Sequence, residues 1–199
     1  MEISKEKLHE LYINKKFSSN KVAESFKCSE GKINYWIKKY GLKKRTISEA
    51  IYNLHNPSGD PFKVGVIDDL DKSFFFGLGL GLYWGEGNKK NIYAIRLGNS
   101  DPGVIVMFVK FLEKIYLIDK RRLRFAIQIF DDTKPQEIRH YWSKILKISP
   151  SQFYKTTISP SRGVGTYKDK FKYGVLTIHF NNKKLRDILC GEIENLRRL

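Results

Sequence analysis

The tightest constraint on the fold lies between Ser18 and Gly41, where two short apolar stripes are separated by only a few polar residues. Val22, Ala23 and Phe26 recur at the spacing of one helix face, and Ile33, Trp36, Ile37 and Tyr40 repeat that pattern. Helices this short are marginal alone, so each must bury its stripe against a neighbour. Lys5 to Ile13 supplies one, with Leu8, Leu11 and Tyr12 on a single face. Lys15 to Ser19 reads as a turn, with a Ser or Asn capping the next helix. Lys27-Cys28 is the second turn, Ser29 is a good N-cap, and Gly41 stops the last helix. Ala23 is small where the two helices must approach, and Ile33, ten residues on, is the aliphatic anchor of the final helix. Lys27 takes a position that favours left-handed backbone, at some cost for a residue with a Cβ.

This is helix-turn-helix spacing, and the outward residues suit the reading of duplex DNA. Ser29, Glu30, Lys32, Asn34 and Tyr35 lie at the N-terminal end or exposed flank of the last helix, and Lys38, Lys39, Lys43, Lys44 and Arg45 come after them. Asn pairs bidentately with adenine in the major groove, and Lys reaches guanine or phosphate. The first 50 residues hold 12 basic and 6 acidic side chains, so this unit is positive by itself. The whole 199-residue chain carries 37 Lys and Arg against 21 Asp and Glu, a formal charge of +16. A polyanionic partner relieves the self-repulsion that such a charge imposes. The stretch resembles the helix-turn-helix of resolvase-like and sigma-like DNA-binding domains. Leu11-Tyr12, Val22-Ala23-Glu24, Cys28-Ser29, Ile33 and Lys39-Tyr40-Gly41-Leu42 carry the resemblance, which covers about a fifth of the chain.

Beyond Arg45 the pattern changes. Residues 46–69 read as a linker, with a short helical piece near Ile47 to Leu54 and the turn-rich Asn56-Pro57-Ser58-Gly59-Asp60-Pro61. Residues 70–199 then mix helices and strands without a regular alternation, which predicts an α+β fold. Helices are expected at Ser73 to Trp84, Pro102 to Tyr116, Pro135 to Leu146 and Lys183 to Leu196. Strands are expected at Ile92 to Leu97, Leu123 to Phe130, Phe153 to Ile158 and Val175 to Phe180, with a loop over Ser161 to Lys172.

Gly77-Leu78-Gly79-Leu80-Gly81-Leu82-Tyr83-Trp84-Gly85-Glu86-Gly87 is the second informative run. Gly81 and Gly85 at helical spacing let two helices approach backbone to backbone. Glu86 then leaves a carboxylate at the helix C-terminus, where the dipole disfavours it unless a cation is near. The run resembles the motif of LAGLIDADG homing endonucleases, with Gly81 to Gly87 on its Gly-Leu-Ile-Asp-Ala-Asp-Gly part. Asn99-Ser100-Asp101-Pro102, leading into a helix with Phe108 and Leu112, resembles the segment after the motif in many members.

The resemblance implies an endonuclease domain over 70–199 with a four-stranded saddle-type sheet. A single motif copy implies a homodimer with Gly77, Gly81, Leu82 and Gly85 in its seam. Glu86 is implied as metal ligand and catalytic residue, binding Mg²⁺ over the scissile phosphate. The saddle would place Arg96, Arg124, Gln128, Lys155, Arg162 and Lys168 against DNA. Three departures stand out. Trp84 replaces the motif's first acid, one strand is legible where the family has a hairpin, and a helix at Pro135 to Leu146 interrupts strands that the family pairs.

The functional expectation is a sequence-specific double-stranded DNA-binding protein, acting as a Mg²⁺-dependent homing-type endonuclease. The alternative is a LAGLIDADG-derived transcription regulator that binds without cutting. Other chemistries find little support. His9, His55, His140 and His179 show no metal-ligand spacing, Asp131-Asp132 reads as a turn, and no Gly-Lys-Ser/Thr comes after the glycines as a phosphate loop requires. Cys28 and Cys190 indicate no disulfide framework. Met1 to Glu10 lacks an apolar signal core, and the longest apolar run, Phe74 to Trp84, is too short for a bilayer, so a cytoplasmic protein without a membrane partner is expected.

Overall fold

The structure is a computed structural model that describes residues 2–161 and 172–198. Its chain divides into two units, Met1–Pro61 and Phe62–Leu199.

The first unit is all helical. α1 (Lys5–His9) widens into a π turn (Glu10–Asn14), followed by α2 (Ser19–Ser25), α3 (Glu30–Lys39) and α4 (Ile47–His55). Every α-helix starts on a hydroxyl cap. Ser4, Ser18, Ser29 and Thr46 accept from the backbone N–H three residues on, and Thr46 with Glu49 completes a capping box. Leu8, Tyr12, Val22, Ala23, Ile33, Trp36 and Ile37 are buried together. Lys27 sits at φ +49° in the turn, as its position demands, and Gly41 at φ +66° ends α3. The π turn is a departure from the single helix read over Lys5 to Ile13. There Lys15 N–H reaches back five residues to the Glu10 carbonyl at 2.9 Å. α4 buries none of its residues, and Ile47, Ile51 and Leu54 are exposed along one stripe.

The second unit is α+β. Its elements run α5 (Leu70–Glu86), β1 (Ile95–Asn99), α6 (Pro102–Tyr116), β2 (Arg124–Phe130), α7 (Pro135–Leu146), β3 (Thr157–Ser159), β4 (Val175–Phe180) and α8 (Lys183–Leu196). The mixed four-stranded sheet has the order β1-β4-β2-β3, with β4 antiparallel to β1 and β2, and β3 parallel to β2. Alternation splits its residues. Ile95, Leu97, Phe125, Ile127, Ile129, Leu176, Ile178 and Phe180 face a core shared with Leu80, Tyr83, Phe108, Phe111, Trp142 and Leu189. Arg96, Arg124, Gln128, Thr177 and His179 fall on the opposite face.

Three elements of this unit start three or more residues away from the sequence reading, each for a local reason. α5 starts at Leu70 rather than Ser73 because Asp69 caps it, accepting from Lys72 N–H at 2.6 Å. β1 starts at Ile95 rather than Ile92 because the Asn91 carboxamide accepts from Tyr93 and Ala94 N–H, at 2.9 and 3.0 Å, and turns the chain there. β3 is confined to Thr157–Ser159 because buried Gln152 donates to the Lys120 and Leu123 carbonyls, at 2.8 and 3.1 Å, and holds the preceding segment out of regular pairing.

α5 and α6 pack closely. A Cβ on Gly79 would lie 2.1 Å from the Phe111 ring, so only glycine fits there. Among the described residues no helix is long and apolar enough to cross a membrane.

Candidate nucleic-acid interface

α3 is held by its inward stripe and presents the opposite one. Ile33, Trp36 and Ile37 are buried, while Gly31, Tyr35 and Lys38 recur at i, i+4 and i+7 on the outer side and are exposed. Tyr35 stands 59% exposed, its ring edge-on to Trp36 at 5.6 Å. Lys39 is exposed, with Nζ 4.3 Å from the Trp36 ring centroid and 6.0 Å from that of Tyr35. Ser29 is committed to the cap, its hydroxyl accepting from Lys32 N–H at 3.3 Å. Glu30 is exposed, and Lys32 and Asn34 are half-buried on the flanks. The Asn34 Oδ1 is buried without a hydrogen-bond partner. Lys43 and Lys44 extend the basic surface and are exposed.

Arg45 has a different place from the one its sequence position suggested. Its guanidinium donates to the carbonyls of Lys16 at 2.7 Å, Tyr12 at 3.1 Å and Phe17, and stacks 4.2 Å over the Tyr12 ring. It closes the end of the π turn, so its donors are directed into the protein. Sequence spacing does not mark this contact, because Arg45 lies 28 to 33 residues along the chain from the carbonyls it meets.

A second polar surface is the outer face of the sheet. Arg96 and Arg124 both stand opposite His179 in the strand register, which makes one lateral row across β1, β4 and β2. Burial, and then the adjacent Arg96 charge, push the His179 imidazole down to about 4. It is therefore neutral at physiological pH, with Tyr154 edge-on to it at 5.3 Å. Arg124 turns back onto the Arg121 and Leu123 carbonyls at 2.8 and 3.0 Å. Arg96 keeps a buried Nε without a partner. Gln128 and Lys155 are exposed, and Gln128 Nε2 lies 3.5 Å from Ser159 Oγ. Arg162 and Lys168 lie outside the described residues. His179 and Tyr154 were not singled out in the sequence. The strand alternation through Ile178 and Phe180 already placed His179 on this face.

The third feature is the free side of α5. Gly77, Gly81 and Gly85 are exposed, and a Cβ on any of them meets nothing within 4 Å. Leu70, 89% exposed, and Phe74, 57% exposed, continue the same stripe at i, i+4, i+7, i+11 and i+15, with Trp84 beside it. Leu82, expected in this stripe, instead leans on the core of its own unit. Leu70 and Phe74 are the residues that pattern reasoning missed, because the glycines that mark the stripe begin only at Gly77.

Glu86 is exposed at the last turn of α5. Lys89 folds back onto this helix end, its ammonium donating to the Trp84 carbonyl at 2.6 Å and the Tyr83 carbonyl at 3.4 Å. Arg186 in turn donates to the Lys89 carbonyl at 2.7 Å, and Arg197 stacks 5.6 Å over Trp84. The negative end of the helix dipole is thus already met by protein cations. Among the described residues no three His, Cys, Asp or Glu side chains cluster in a metal-ligating group. A hard divalent cation needs several oxygen ligands, and the Glu86 carboxylate is one. One chain therefore offers a divalent cation a single carboxylate ligand at this helix end.

No protein-family model, curated protein or solved structure matches the chain.

Proposed function

We propose that this protein is a sequence-specific double-stranded DNA-binding protein that presents α3 to the major groove. The observation that carries this reading is the division of α3 into a buried anchor stripe and an exposed stripe of Gly31, Tyr35, Lys38 and Lys39. The buried Ala23 and Ile33, the left-handed Lys27 and the Ser29 cap support a helix-turn-helix made of α2 and α3. The charge of +16 supports a polyanionic ligand.

The second unit is read as a LAGLIDADG-like scaffold that pairs two copies of the chain. Support comes from the open glycine stripe of α5, flanked by exposed Leu70, Phe74 and Trp84, which suits another helix of the same kind. A two-fold dimer would carry two copies of α3 and read two half-sites. Binding without cleavage is the preferred activity, because the Lys89 ammonium already meets the carbonyls at the helix end where a bound cation would sit.

A second reading is a nuclease. It is favoured by the position of Glu86, which ends the same helix that bears the open stripe, so pairing would bring two carboxylates together. Selection from a randomised duplex library, in Mg²⁺ or in EDTA, separates the two. Retention of one sequence with intact strands in Mg²⁺ is the expected result. Mg²⁺-dependent cuts that vanish in Glu86→Gln would establish the nuclease instead.

A further inference from the structure

One groove of the first unit carries charge that its own walls do not answer. It has a volume of about 230 Å³ and lies between the Lys15–Ser18 turn and α4, with Lys15, Lys16, Phe17, Lys21, Asn53 and Leu54 among its walls. No carboxylate lines it. The Lys15 and Lys16 ammonium groups have no partner among the described residues, and Lys21 Nζ meets only the Phe17 ring, 4.2 Å from its centroid. The Asn53 carboxamide also has no hydrogen-bond partner among the described residues. Arg45 lines the groove too, but the Tyr12, Lys16 and Phe17 carbonyls take its donors. Glu49, whose carboxylate feels the Arg45 charge, is held by Thr46 N–H at 2.7 Å and is not part of the wall. Two other grooves mix signs, one pairing Lys5 with Glu6 and Glu10, the other Lys89 and Arg197 with Glu194.

We propose that this groove seats a phosphodiester group of the DNA backbone, bound by Lys15, Lys16 and Lys21 on one side and by Asn53 of α4 on the other. The inference rests on the reading of the first unit as a duplex-DNA binder. It goes further by adding α4, which reads as linker in the sequence, to the surface that holds DNA. Three observations choose the ligand. Cations without a counter-charge select an anion. Pockets for drug-sized molecules occupy about 300–1,000 Å³, so this smaller groove suits one group of a larger chain. Phe17, Leu54 and Pro57 give it apolar walls, which match deoxyribose on either side of a phosphate and offer nothing to a free inorganic anion. Phosphate contacts position a protein without reading sequence, so the groove acts alike on every duplex.

The test uses the full chain, the duplex selected by the wild type, and a random duplex. Lys16 has left-handed backbone at φ +55°, which glycine adopts without strain, so Lys16→Gly removes the charge and should melt no lower than the wild type. Its salt slope should be shallower by about 0.9, and both duplexes should bind about five- to tenfold more weakly at about 0.1 M salt. Asn53→Leu keeps a good helix former in α4 and removes the neutral donor. It should weaken both duplexes about three- to tenfold with an unchanged salt slope. Lys110→Ala, at an exposed position of α6, controls for net charge and should bind as the wild type does. Wild-type affinity and slope in Lys16→Gly, wild-type affinity in Asn53→Leu, an equal loss in Lys110→Ala, or a loss confined to the selected duplex would each overturn the assignment. A lower melting temperature in both groove variants would make these residues structural and overturn it too. Inorganic phosphate that raises the melting temperature of the wild type but not of Lys16→Gly, with equal duplex affinities, would give the groove to a free anion instead. A wild type that binds neither duplex would remove the underlying reading along with the proposal.

Discussion

α3 and α5 are built alike and finished differently. Each closes a core with one side, α3 through Ile33, Trp36 and Ile37, and α5 through Gly79, Leu80 and Tyr83. Each leaves the other side open. On α3 that side carries Tyr35, Lys38 and Lys39, and on α5 it carries Leu70, Phe74, Gly77, Gly81 and Gly85. Solvent tolerates the first surface, and a polyanion gains from it by releasing counterions. The second gains from losing water, at about 25 cal/mol per Å² of apolar area, and its glycines permit close backbone approach. Under the proposed function, the same secondary structure would serve opposite partners, a nucleic acid for α3 and a second copy of the helix for α5.

The sharpest way to break that contrast lies within α5 itself. Gly79→Leu must displace Phe111, and it should destabilise the second unit by about 3 kcal/mol or more, read as a lower urea midpoint. Gly81→Leu, two residues on, should leave the urea midpoint nearly unchanged and abolish self-association in sedimentation. Equal unfolding by both would mean that the outer stripe is part of the monomer core. A Gly81→Leu variant that sediments like the wild type would remove α5 from any dimer seam.

Arg45 sharpens the other side of the comparison. It is a cation next to Lys43 and Lys44, yet its donors hold the Tyr12, Lys16 and Phe17 carbonyls. Arg45→Ala should cost about 1–3 kcal/mol of stability in the first unit and leave the salt dependence of DNA binding unchanged. A smaller salt slope with intact stability would show Arg45 on phosphate instead. Lys43→Ala and Lys44→Ala should behave in the opposite way.

How far the sequence foretold these surfaces depends on the information that periodicity encodes. α6, α7, β4 and α8 begin and end where their apolar periods and Pro or Asn starts place them, and α3 obeys its Ser29 cap and Gly41 stop. The π turn at Glu10–Asn14 and its Arg45 staple were not legible, because a one-residue change of helical register leaves the apolar pattern almost intact. The parallel pairing of β3 with β2 was hidden for another reason, since a three-residue strand carries too little alternation to state its direction. At the α5 tip the sequence marked Glu86 but not Lys89, whose capping role depends on the chain doubling back from Gly87 to pair with Leu97.

The sheet row offers a smaller effect. The unfolded His179 imidazole binds its proton near pH 6.5, and the folded one only near pH 4. Between those values the unfolded chain holds more protons, so stability should fall as pH drops from about 6.5 to about 4. His179→Phe should flatten that part of the stability profile relative to wild type in urea melts at stepped pH. An identical profile in the variant would mean that the imidazole titrates alike in both states.

The central claim is that the outer stripe of α3 docks on DNA, and its most direct test is the salt dependence of duplex affinity in the wild type and in Lys38→Ala/Lys39→Ala. The expected result is a steep linear fall of log affinity with log salt in the wild type. In the double variant the slope should be shallower by about 0.9 for each phosphate partner removed, or about two units in all, with an unchanged melting temperature. Equal slopes in the two proteins, or a wild type that binds no duplex at low salt, would contradict it.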